Sequence, residues 1–246
     1  RSSDLVVNDI INSFIGNFRT AVNPQIVKKY AAKDYEGSKK LALASTQYTF
    51  YLMLIMVLPL FLLVEPALNI WLDEIPDGLI PFVQLALIQG LLQSFDTSLY
   101  VPIYAKGRIR ENAIISPLFD SLQLPLIYVL FMMGFPPVTL AWVSMFAYAG
   151  LGLIVKPLLV HYVVGYELGR IMKMECRCLA VGAVSAVVPV IVSMNVDVNT
   201  ITGFALVLFA SLVSVAVFVW VLGLDQNMRE FLMGWVKDKL GKSDYN

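Results

Sequence analysis

Apolar and polar residues alternate along this chain on the scale of whole helices. Seven apolar stretches, near 5–22, 41–64, 79–105, 112–133, 138–164, 179–195 and 201–224, are separated by short polar segments. A helix of about 17–25 apolar residues is long enough to cross the hydrocarbon of a bilayer. The pattern therefore predicts an all-α, multi-pass transmembrane helix bundle of about seven spans, with a tail over 225–246.

Three of these spans interrupt their apolar character in a regular way. Asn8, Asn12, Gly16, Arg19 and Asn23 recur every three or four residues, which puts them on one helical face. Gln89, Gln93, Asp96 and Tyr100 do the same in the third span, and Asn112, Ser116, Asp120 and Gln123 in the fourth. Lipid does not tolerate such faces, so they must look into protein or water. The second and last spans are mostly apolar. A hydrophilic cavity lined by the first, third and fourth helices, with the fifth as a further candidate, is the expectation.

Composition agrees with the membrane reading. Of 246 residues, 58% are hydrophobic and only 15% charged, with a mean hydropathy of +0.73; a soluble domain carries about 25% charge. The net charge is zero, and the sidedness of the charges is more informative than their sum. Lys28, Lys29, Lys33, Lys39 and Lys40 crowd the segment from Asn23 to Lys40, and Pro24 predicts that the preceding helix ends near Asn23. Lys106, Arg108 and Arg110 follow the third span, Arg170, Lys173 and Arg177 the fifth, and Arg229, Lys237, Lys239 and Lys242 the last. These are fifteen of the eighteen basic residues, whereas the alternate loops around 65–78, 134–137 and 196–200 hold none. Basic loops stay on the cytoplasmic side, so seven spans with a cytoplasmic C-terminus are predicted. In the tail, Met228, Phe231, Leu232, Trp235 and Leu240 roughly share a face, which reads as an interfacial helix lying on the membrane.

Four charges fall deep inside spans: Arg19, Asp96, Asp120 and Lys156. Each lies nine to eleven residues from a charged segment, roughly 14–16 Å along a helix. That is near the middle of a core about 30 Å thick. Asp96 and Asp120 either pair helices or carry coupling protons or cations. Arg19, among Asn amides, suits an anionic group such as a phosphate or pyrophosphate. Lys156, just before Pro157, either binds an anion or pairs with an aspartate. Gly150 and Gly152 read as close-packing positions, and His161 as structural or interfacial in preference to a proton relay. Prolines 59, 102, 117, 125 and 189 lie inside spans, which transmembrane helices tolerate.

Cys176 and Cys178 are the only cysteines and fall in a predicted cytoplasmic loop, where thiols stay reduced. With one histidine, no metal site is expected. No phosphate loop, ligand cluster or nucleophile–base pair points to an enzyme, and no cofactor or nucleic-acid partner is expected. The chain opens at Arg1 inside what reads as a helix, so an upstream part is expected.

Several segments, taken in order, have a familiar look. NFRTAVNPQIVKKYAAKDYEGSKK, LNIWLDEIP, IYAKGRIRENAIIS and the closing GLDQNMREFLMGWVKDKLG resemble the polysaccharide or O-antigen flippases (Wzx-type) of the multidrug/oligosaccharidyl-lipid/polysaccharide exporter superfamily. The resemblance implies one C-terminal lobe of a two-lobed, MATE-like transporter, the partner being a missing N-terminal lobe or a second copy. It implies alternating access in the bacterial inner membrane and a polyprenyl-pyrophosphate-linked oligosaccharide as substrate. Arg19 and Lys156, with Asn8, Asn12, Gln89, Gln93 and Gln123 lining the cavity, would attract its pyrophosphate or an acidic sugar. Asp96 and Asp120 would balance charge or couple ions. A multidrug or cation antiporter of the same superfamily is the alternative, and a membrane-embedded glycan-assembly enzyme a third.

Overall fold

A computed structural model describes residues 20, 22–70, 72–226, 228–230 and 233. The described residues form a bundle of helices with no strand. Residues 22–31 form α1. The remaining helices are α2 (Tyr35–Leu62), α3 (Val64–Asn69), α4 (Leu79–Ala105), α5 (Ile109–Ser121), α6 (Gln123–Met132), α7 (Thr139–Gly150), α8 (Lys156–Val164), α9 (Leu168–Asn195) and α10 (Ile201–Phe218). Wide π-helical turns at Leu151–Val155 and Val219–Gly223 join α7 to α8 and extend α10. Six continuous runs are long and apolar enough to cross a membrane: α2, α4, α5–α6, α7–α8, α9 and α10 with its π turn. These are the six later expected spans. Nearly all of the first, near 5–22, and most of the tail over 225–246 lie outside the described residues.

Three boundaries differ from the sequence reading. Pro24 does not end a helix: α1 runs through it to residue 31. The break comes at Lys33, in the left-handed region at φ 64°, and Asp34 then caps α2 by accepting the Gly37 N–H at 2.9 Å. Lys39 and Lys40 therefore belong to a helix. Likewise α9 starts at Leu168, so Cys176 and Cys178 sit on a helix rather than in a loop, and Cys178 is fully buried. The 28 residues of α9 extend about 42 Å, longer than the bilayer core, which lets its first two turns carry charge outside the hydrocarbon.

The core is built where α2, α4, α8 and α9 meet. Phe50 of α2 stacks on Phe95 of α4 with ring centroids 5.0 Å apart, and Leu99, Ile103, Val160, Ile171 and Val181 close around them. α10 packs on α9 through small residues, and the buried Ser214 hydroxyl donates to the Ser185 carbonyl at 2.7 Å. α5–α6 lies at the edge, touching α4, α7 and α8 without a buried residue of its own.

Ion pairs tie the basic ends of these helices together. Lys39 approaches Glu36 and Glu167 at 3.6 and 3.8 Å, Arg170 binds Glu167 at 2.7 Å, and Arg177 binds Asp225 at 2.7 Å. The Lys106 ammonium donates to the Val163 carbonyl at 2.7 Å, joining the ends of α4 and α8. Burial pushes the Tyr166 phenol, in the turn between α8 and α9, above its usual range. One end of the bundle thus gathers the basic segments.

Candidate functional site

Two proline-dependent breaks shape the interior. Pro157 has no N–H to offer the Leu153 carbonyl one turn back, and the helix widens just before it. The Lys156 N–H reaches five residues back to Leu151, the signature of a π turn. Gly152, within that turn, lies against α4 so closely that a Cβ would stand 2.9 Å from the Leu92 carbonyl oxygen. Only glycine lets the two backbones approach this far, so the small-residue reading of Gly152 holds, and Gly150 faces the Phe119 ring in the same way. The close approach aims Lys156 at α4 and α5.

Lys156 is 1% exposed. Its ammonium lies 2.7 Å from Asp96 Oδ1 and donates to the Ser116 hydroxyl at 3.1 Å and to the Asn112 amide oxygen. The ammonium thus hydrogen-bonds Asn112 and Ser116 and forms an ion pair with Asp96. Of the two readings open for Lys156, the aspartate pair is the one this conformation holds.

Pro125 makes the second break. It cannot bond the Ser121 carbonyl, and α5 ends there, one residue past Asp120. Gln123 donates its amide to Asp120 at 3.3 Å. Asp120 is half-buried within electrostatic reach of Asp96 and Lys156, and the Tyr148 phenol lies near both acids. Two aspartates face one lysine, leaving the cluster one formal negative charge.

The expected stripes on α4 and α5 thus converge. Asp96, Asn112 and Ser116 meet at Lys156, with Asp120, held by Gln123, in electrostatic reach, whereas Gln89 and Gln93 lie farther along α4, half-buried. Beside Tyr100 a groove of about 720 Å³ opens between α1 and α4, lined by Asn23, Lys28, Thr97, Tyr100 and Tyr104 among others. Asn8, Asn12 and Arg19 lie outside the described residues. His161 Nδ1 contacts the Tyr166 carbonyl at 2.7 Å, a local structural bond. Among the described residues no group of three His, Cys, Asp or Glu side chains gathers as a metal site.

Sequence reasoning missed a second polar knot. Gln47 of α2 donates to the Gly223 carbonyl at 2.5 Å and to Tyr51 at 3.2 Å, and Arg177 donates to the Leu222 carbonyl at 2.9 Å. These contacts satisfy the carbonyls that the second π turn exposes. Glu175, 2% exposed, is buried nearby on α9; the basic residues around it disguised it as part of a loop.

The chain was compared with family models, curated proteins and solved structures, and none matches it.

Proposed function

We propose that this protein is a membrane transporter working by alternating access, and that its substrate is a polyprenyl-pyrophosphate-linked oligosaccharide flipped across the bacterial inner membrane. The observation that carries the transporter reading is the buried Asp96–Lys156 pair. It lies within stretches long and apolar enough to span a membrane, where one helix is widened by a π turn and a neighbour is broken by proline. Broken helices enclosing charge near the midplane are how transporters hold substrates and move. The oligosaccharide is supported by the resemblance of the loop segments to polysaccharide flippases, and the cytoplasmic placement of the basic end by the positive-inside rule.

In this mechanism a substrate anion competes with Asp96 for Lys156. Protonating Asp96, or pairing it with a cation, releases the ammonium; the phosphate then takes the vacated donors. Asp120 supplies the second negative charge that draws the cation in. The excess of acid over base also favours a second reading, a cation or drug antiporter, in which the aspartates bind the transported cation directly.

Deleting the gene in its host and assaying lipid-linked oligosaccharide together with surface glycan tests the first reading. Intermediate accumulating on the cytoplasmic leaflet as surface polymer disappears is the expected result. Unchanged glycan with new sensitivity to cationic drugs overturns it in favour of the antiporter.

A further inference from the structure

Away from the Asp96–Lys156 cluster, one carboxyl is left inside the bundle without compensation. Glu175 is 2% exposed, and among the described residues its Oε1 has no hydrogen-bond partner and the side chain no ion pair. Among the described residues, the charged groups on the helices packed against α9 are engaged elsewhere or point outward. On α2, Lys39 and Glu36 belong to the ion-pair network at the basic end, and the Tyr51 hydroxyl accepts from Gln47. Tyr48, also on α2, lies near Arg177 and Asp225. On α8, Lys156 is held by Asp96 and His161 by the Tyr166 carbonyl. α10 and its π turn hold no titratable residue. On α9 itself, Arg170 binds Glu167, Arg177 binds Asp225 and Lys173 is exposed. Cys178, one turn along and fully buried, lies in electrostatic reach of Glu175.

A carboxylate this buried, with neither cation nor a full set of donors, is tolerated only when it carries a proton. Glu175 is buried on α9, which packs against α2 and the second π turn, and that burial links its proton to the packing of this seam. We propose that Glu175 is a proton-binding site, occupied while this seam is closed, and that its proton passes to water when the seam opens. The step is a simple acid dissociation: the O–H bond breaks, the carboxylate keeps the electron pair, and entering water takes the proton. Calling this coupling rests on the transporter reading above. The proton site itself stands without that reading, and the experiment separates the two.

The experiment compares the wild-type protein, reconstituted in lipid, with Glu175→Gln, Asp96→Asn and Asp120→Asn by infrared spectroscopy at neutral pH. A protonated-carboxyl band present in wild type, Asp96→Asn and Asp120→Asn but absent from Glu175→Gln is expected. Loss of an ionised-carboxylate band instead, or no difference, overturns the proposal. So does a Glu175→Gln protein that does not fold, because glutamine is the isostere of the protonated acid. Opening of the seam is read from maleimide labelling of Cys178 in a Cys176→Ser background. At pH 9 the Glu175→Gln protein should label at least about fivefold more slowly than its Glu175 parent, and at pH 6 at a similar rate. Equal rates at both pH values overturn the link to packing. Absence of transport by the wild-type protein in every assay, with the infrared result intact, removes the transporter reading and leaves the proton site.

Discussion

Replacing Lys156 by methionine tests whether the central cluster is a compensated unit. The ammonium is almost wholly buried, with its side chain 2% exposed, whereas that of Asp96 is 17% exposed. Removing one member of a fully buried ion pair costs about 3–5 kcal/mol, because the other charge is left uncompensated. Polar contacts between transmembrane helices average about 0.6 kcal/mol. Here the lysine hydrogen-bonds two groups besides its ion pair, but Asp96 has partial access to solvent, which softens the loss. A loss of about 2–3 kcal/mol lies between these limits and is the expected value. Asp96→Asn combined with Lys156→Met removes both charges and should recover at least half of it. Unfolding by an ionic detergent titrated into mixed micelles, followed by circular dichroism, measures both. A single variant within about 0.5 kcal/mol of wild type would refute the reasoning, since only an ordinary surface position behaves that way. So would a double variant less stable than either single one.

Three further outcomes follow from the packing and the charge distribution. Gly152→Ala places a methyl 2.9 Å from the Leu92 carbonyl oxygen and 3.4 Å from Phe95 Cβ, so it should cost about 1–3 kcal/mol in the same unfolding assay. It should also raise acylation of Lys156 by an amine reagent, and unchanged acylation would sink the claim that this contact aims the lysine. The Lys29 hydrogen bond, with help from the Gly37 N–H, holds the Asp34 carboxyl below its usual value of 3.8. A depressed folded-state value means that Asp34 stabilises the start of α2 above pH 3.8 and that this contribution fades as pH falls through the lowered value. Amide exchange at Gly37 should accelerate in that acid range, and a flat profile there would count against the cap. Finally, single cysteines at Arg108 and Asn199, in a background lacking the native two, should label from opposite sides of the membrane, the first from the cytoplasm. Labelling from one side would break the assigned topology.

The long apolar runs and the stripes of Gln, Asp and Asn were legible because both depend on period alone. The convergence of Asp96, Asn112, Ser116 and Asp120 follows from helical spacing once α4 and α5 lie side by side. Helix ends were less legible, for two physical reasons. Charged residues such as Lys39, Arg170 and Arg177 mark where lipid ends rather than where the helix does, and a helix can extend well beyond the bilayer. Proline also gives an ambiguous signal: Pro24 sits within a helix, Pro125 ends one and Pro157 widens one. The neighbouring backbone, not the residue itself, decides whether the freed carbonyl finds another partner.

The π turn before Lys156 shows why no stripe could have placed that lysine. A π turn inserts one residue into the helical count and rotates everything beyond it by roughly 100°. A face computed on an unbroken helix from Gly150 onward would therefore miss the direction of Lys156. The same insertion gives the site a mechanical property. The widened turn is held on one side by the close approach of Gly152 to α4, and on the other by the ion pair and two hydrogen bonds of a single ammonium. Both contacts converge on the same stretch of α4, between Leu92 and Asp96. Any event that draws Asp96 off Lys156 also loosens the seam against which Gly152 is packed. Charge inside the bundle and the packing of α4 against the widened turn are thereby linked, and the carrier proposed above would need such a link.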